Sequence, residues 1–169
     1  MSEGSASESH WIDSSLREKV IEHLFVGELL RLLWCRGRRD IEVLRAEVDR
    51  GGYDLVLECN GVLRHVQLKA SHKDATAQKV SVNVALAAKT GGCVIWIRFD
   101  PATMALGPFL WFGGRPHESM PDLGEHVGRH TRAGSSGVRG LRQGIRDLRQ
   151  ARFVRLESIA AVAAALFGV

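Results

Sequence analysis

Apolar and polar positions alternate most regularly between Tyr53 and Ser71, and the pattern there predicts two strands. Asn60-Gly61 interrupts the alternation. Asn-Gly is the strongest short hairpin signal, because a type I′ turn needs positive φ at both central residues. With those two residues as the loop, Cys59 faces Val62, Leu57 faces Arg64, Leu55 faces Val66 and Asp54 faces Gln67. One face then carries Leu55, Leu57, Val62, Val66, Leu68 and Ala70, with Arg64 as the exception. The other carries Asp54, Val56, Glu58, Leu63, His65, Gln67 and Lys69.

Other periods surround this hairpin. Asp13-Ser14-Ser15 offers an N-cap for a helix from Ser15 to about Cys35, whose apolar stripe reads Ile21, Leu24, Phe25, Leu32 with Glu28 inside it. Gly27 beside Glu28 suggests a close approach to a sheet. A strand of mixed alternation covers Ile41–Val48. Val80–Val84 reads as extended and Asn83–Lys89 as a short helix. Cys93–Phe99 is a nearly continuous apolar run, as a buried strand requires. A short strand follows at Pro108–Phe112, and a helix at Ile159–Phe167 lies between Ser158 and Gly168. Residues 113–144, rich in Gly, Ser, His and Arg, read as a long loop. Residues 1–12 show no period and read as a disordered tail, leaving 13–169 as a single domain.

Composition narrows the class. Hydrophobic residues make up 45% and charged residues 25% of the 169 residues, as in ordinary globular proteins. There is no apolar run of membrane-spanning length and no signal peptide, so no membrane partner is expected. Cys35, Cys59 and Cys93 are odd in number and widely spaced, which argues against a disulfide scaffold or zinc ribbon and fits a reducing cytoplasm.

The polar hairpin face is where chemistry is expected. Cross-strand neighbours lie about 5 Å apart at Cβ, so Asp54 and Gln67 touch and Lys69 follows one step along. A carboxylate and an amide oxygen are hard ligands suited to Mg²⁺ or Mn²⁺. A lysine beside them can orient a water or offset charge on a phosphate. Periodicity alone favours a solvent-facing hairpin whose polar face happens to carry these residues. His126 and His130 stand at i, i+4, but Gly128 between them and the want of a third ligand argue against zinc. Gly134-Ser135-Ser136-Gly137 lacks the lysine of a P-loop. Glu47 and Asp49 precede the hairpin and read as surface or turn residues.

Gly-Tyr-Asp-Leu-Val-Leu, the turn, then Val-Gln-Leu-Lys-Ala-Ser resembles the core of the PD-(D/E)xK, restriction-endonuclease-like superfamily in its QxK form. Asp54 matches the motif aspartate and Lys69 the motif lysine, while Gln67 replaces the acidic residue between them. The resemblance implies an αβββαβ core with a mixed central sheet flanked by helices, here with an extra strand and a C-terminal helix. It implies metal ligation by Asp54, Gln67 and the Leu68 carbonyl, and a further carboxylate from the first helix. Glu28 is the expected donor, with Glu22 the weaker candidate.

Charge adds a partner. Between Arg129 and Arg155 lie Arg129, Arg132, Arg139, Arg142, Arg146, Arg149, Arg152 and Arg155 against Asp147 alone. That asymmetry points to a polyanion, with DNA favoured over RNA. A homodimer is an assembly open to the chain. Three functions stay open: a Mg²⁺-dependent endonuclease, an inactive nuclease-fold module that binds nucleic acid, and a protein-interaction domain.

Overall fold

A computed structural model of the chain describes residues 4–48, 50–129 and 140–169, with residues 4–12 described by backbone alone. Helix α1 spans Gly4–Cys35. Three strands follow: β1 (Glu42–Arg45), β2 (Leu55–Cys59) and β3 (Val62–His72). Next come β4 (Lys79–Asn83), a 3-10 segment at Val84–Ala88, β5 (Gly92–Phe99) and β6 (Leu106–Gly113). The chain ends with β7 (Val127–Arg129), β8 (Leu141–Arg149), β9 (Val154–Leu156) and helix α2 (Ile159–Phe167).

The hairpin forms in the register its turn dictates. Leu55 pairs with Val66, Leu57 with Arg64 and Cys59 with Val62. Asn60 and Gly61 have φ of 55° and 70°, the conformation a type I′ turn demands. β3 then pairs in parallel with β5, while every other pairing is antiparallel. The result is a mixed six-stranded sheet in the order β1-β2-β3-β5-β6-β9. The class is α/β with a mixed central sheet, and β6 and α2 are the extra strand and C-terminal helix. The helix expected near Asn83–Lys89 is a 3-10 segment capped by the Asn83 side chain.

Both helices cover one face of the sheet. Phe25, Leu29 and Leu33 of α1 pack with Leu55, Leu57, Val66, Ile95, Ile97 and α2's Leu166. Arg64 points into this layer, fully buried. It donates from Nε to the Leu166 carbonyl at 2.7 Å and from Nη2 to Ala165 and Gly114 carbonyls at 3.1 and 3.2 Å. The one cation on a greasy face thus satisfies the C-terminal carbonyls of α2, which have no intrahelical donor. Ser158 caps the other end, and Gly168 adopts the left-handed conformation that closes it.

A second sheet, β4-β8-β7, covers part of the opposite face. Val82, Leu86 and Leu148 meet Val94, Trp96, Leu110 and Phe112 there. Parts of the segment 113–144 read as a long loop, Val127–Arg129 and the start of β8, are therefore strand. The exposed face of β8 and its single buried residue, Leu148, give no apolar alternation to read, and pairing with β4 holds it extended.

Two features of α1 also differ from expectation. Its backbone is helical from Gly4, so the segment read as a tail is largely helix. Its buried stripe is Ile21, Glu22, Phe25, Val26, Leu29 and Leu33, rotated from the expected one. Gly27 faces outward, with nothing within 4 Å of where its Cβ would lie, and approaches no sheet.

Candidate active site

β3 outruns β2 at the Asp54 end, and the ledge so formed borders a cleft. Asp54, Gln67, Leu68, Lys69 and Ala70 line it from the sheet, Glu18, Lys19 and Glu22 from α1, and Val80 from β4; its volume is about 370 Å³. Asp54 sits immediately before β2. Its N–H donates to the Val66 carbonyl at 2.9 Å, and its Oδ2 accepts from the Leu68 N–H at 2.6 Å. The carboxylate is thereby fixed over β3, spanning the position of Gln67. Lys69 is half-buried. Asp54, Gln67 and Lys69 thus line one cleft, as the turn register requires.

Gln67 is only 7% exposed, and its Oε1 has no hydrogen-bond partner. A buried amide oxygen left unsatisfied costs about 1–3 kcal/mol. It has a use if a cation or donor comes to it. A hard divalent ion fits the donor set of Asp54 carboxylate and Gln67 amide oxygen. Among the described residues no three His, Cys, Asp or Glu side chains cluster as a metal site, so ligation here would rely on the neutral amide and on backbone or substrate oxygens.

The helix contributes a different carboxylate from the one expected. Glu28 is half-buried and does not line the cleft, whereas Glu22 does. Six residues separate them, about 9 Å along the helix axis and on another face. Glu22 is 6% exposed. It accepts from Lys19 Nζ at 2.9 Å and from Arg45 Nε at 2.8 Å. Burial pushes its carboxyl pKa up, but the two cationic donors outweigh burial and hold it below the ordinary value. Glu22 is therefore a carboxylate already compensated. The signal that could have found it is its spacing from Phe25, Leu29 and Leu33, which places it on the truly buried stripe.

The arginine-rich stretch divides into engaged and outward-facing residues. Arg146 donates to the carbonyls of Gly124, Gln143 and Ile145 at 3.1, 2.9 and 3.1 Å, so its guanidinium braces the small sheet. Arg152 donates to Leu123 at 2.7 Å and to Asp122. Arg155 pairs with Glu157 at 2.5 Å. Arg129, Arg142 and Arg149 are exposed on β7 and β8. Arg132 and Arg139 lie outside the described residues, as do His130 and Asp49. Arg129 and Arg149 line a shallow groove with Lys79, His126 and Asp147, where Lys79 pairs with Asp147 at 2.6 Å. Because β8 pairs with β4, and β4's Val80 lines the cleft, this cationic sheet adjoins the cleft.

No protein-family model matches the chain, and no curated protein does. Among solved structures it is similar to a bacterial homing endonuclease, at 21% identity over 74% of this chain and 85% of that one, with a TM-score of 0.35. No helix among the described residues is long and apolar enough to cross a membrane.

Proposed function

We propose that the cleft is a Mg²⁺-dependent phosphodiesterase site and that the chain is a nuclease of the PD-(D/E)xK kind acting on DNA. The observation that carries this reading is the buried, unpartnered Oε1 of Gln67, in the cleft that Asp54 and Lys69 also line. Asp54, Gln67 and the Leu68 carbonyl would hold the ion, which supplies charge compensation for a phosphate and a more acidic water. Asp54 is kept in place by the Leu68 N–H. The Lys69 ammonium orients the attacking water and offsets negative charge on the phosphate as it builds. The water gives up a proton to solvent as its oxygen bonds to phosphorus, the P–O bond to one sugar oxygen breaks, and that oxygen takes a proton from a solvent water. Glu22, held by Lys19 and Arg45, shapes the cleft wall, and its charge is already offset by those two cations.

That compensation of Glu22, together with the neutral Gln67, favours a second reading in which the same cleft binds nucleic acid with little or no cleavage. One experiment separates the two. Wild type, Asp54→Ala and Lys69→Ala, purified identically, are incubated with supercoiled plasmid in Mg²⁺ or Mn²⁺. The nuclease reading expects nicking by wild type that both variants lose while keeping DNA binding. Binding without nicking in all three supports the second reading, and neither binding nor nicking overturns both.

A further inference from the structure

The outward face of α1 is apolar along much of its length. Leu16 and Trp34 are each 64% exposed, Val20 37%, and Leu24 and Leu30 36%. None of these belongs to the buried stripe that packs on the sheet. Arg39 stacks on the Trp34 ring at 3.6 Å, which stiffens that side chain without burying it. In the middle of this face lies Gly27, open to solvent. A glycine inside a helix weakens it relative to alanine. Among the described residues nothing uses the space it leaves.

The apolar positions are symmetric about Gly27. Leu24 and Leu30 stand three residues to either side, and Val20 and Trp34 seven. Residues at these offsets share one helix face. A two-fold axis perpendicular to a helix reverses its direction, so each residue meets the one equally far on the other side of the axis. Such an interface is self-complementary.

We infer that α1 packs antiparallel against α1 of a second copy of this chain, with the two-fold axis at Gly27. Leu24 of each copy meets Leu30 of the other, and Val20 meets Trp34. Gly27 faces itself, and its missing side chain lets the helix axes approach at the crossing. His23 and Arg31 stand four residues to either side of Gly27, so Arg31 of each copy meets His23 of the other, with Glu28 beside Arg31 on the same helix to offset its charge. A partner of different sequence would have no reason to match a palindromic face. The face from Leu16 to Trp34 is about 27 Å long and about 10 Å wide from helix geometry. Its footprint is on the order of 270 Å², well under the roughly 800 Å² per partner of a standard interface. The dimer is therefore weak and concentration-dependent. The inference does not depend on the chemistry of the cleft.

Sedimentation velocity on the full chain from about 1 to 300 μM tests it, a range chosen for micromolar affinity. Wild type passes from monomer to dimer across that range. The Leu24→Glu/Leu30→Glu double variant remains a monomer throughout, and at about 1 μM, where wild type too is monomeric, its melting temperature matches wild type's because both positions are partly solvated. A second measurement uses Gly27→Cys in a Cys35→Ser background, where the remaining Cys59 and Cys93 are buried. Mild oxidation links this variant into covalent dimers, and the Cys35→Ser parent forms no covalent dimer. A wild type that is monomeric at every concentration, a double variant that dimerises like wild type, or a Gly27→Cys protein that fails to cross-link would overturn the inference.

Discussion

Gln67→Glu places a second carboxylate beside Asp54, and its cost and benefit both follow from the cleft. Gln67 is 7% exposed, and the Asp54 carboxylate is fixed beside it by the Leu68 N–H. A second carboxylate about 5 Å from the first, at an effective dielectric near 20, meets a repulsion of about 3 kcal/mol. Asp54 is only half-buried, and screening by solvent lowers this to roughly 1–2 kcal/mol. For a chain of this size that corresponds to a melting temperature lower by about 2–8 °C. The new carboxyl has its folded pKa raised, so the penalty is absent below the unfolded value of about 4.3 and complete above the folded one. The deficit is thus larger at pH 8 than at pH 4.5. A divalent ion reverses it, since a tenfold gain in affinity is worth about 1.4 kcal/mol. Differential scanning fluorimetry at both pH values, with and without millimolar Mn²⁺, reads all of this. Mn²⁺ raises the variant's melting temperature by several degrees and wild type's by less. Equal Mn²⁺ shifts in the two proteins, with no pH-dependent deficit, would refute the assignment of Gln67 as a ligand.

Three further outcomes are expected. Arg45→Ala removes one of the two cations that hold Glu22 ionised. The pair stabilises the fold above the ordinary glutamate value of 4.5 and is lost as pH falls through the lowered folded value. With the Arg45 side chain 43% exposed, the loss at neutral pH is only about 1 kcal/mol, and it fades in acid when followed by urea unfolding. Arg64→Ala strands the carbonyls of Gly114, Ala165 and Leu166 and costs about 3 kcal/mol or more in the same assay. Replacing Arg129, Arg142 and Arg149 by Ala in an Asp54→Ala background flattens the salt dependence of DNA binding by up to about 2.7 in log–log slope, whereas Arg146→Ala leaves it unchanged. An equal effect from Arg146→Ala would mean its carbonyl contacts do not hold it.

How much of this was legible depends on how local each signal is. The hairpin register was, because Asn60 and Gly61 must both take positive φ and the turn then fixes every pair. α2 was, through its Ser158 cap and Gly168 stop, and β5 through its nearly continuous apolar run. The phase of α1 was not. Its sequence carries two apolar stripes, one buried and one exposed, and the expected stripe fell between them, bringing in Leu24 and Glu28 and missing Glu22. The small sheet was hidden for a different reason. β8 owes its extended form to hydrogen bonds with β4, a contact between distant segments that leaves a mostly polar sequence. Arg146 likewise looked like a free charge, because nothing near it in sequence announces the Gly124 carbonyl.

Joint ligation of a divalent ion by Asp54 and Gln67 is open to a direct test, anomalous diffraction from a crystal soaked in millimolar Mn²⁺. A single strong anomalous peak is expected in the cleft, about 2.1 Å from an Asp54 carboxylate oxygen and from Gln67 Oε1. A peak bound only elsewhere, or none in the cleft at saturating Mn²⁺, would contradict it.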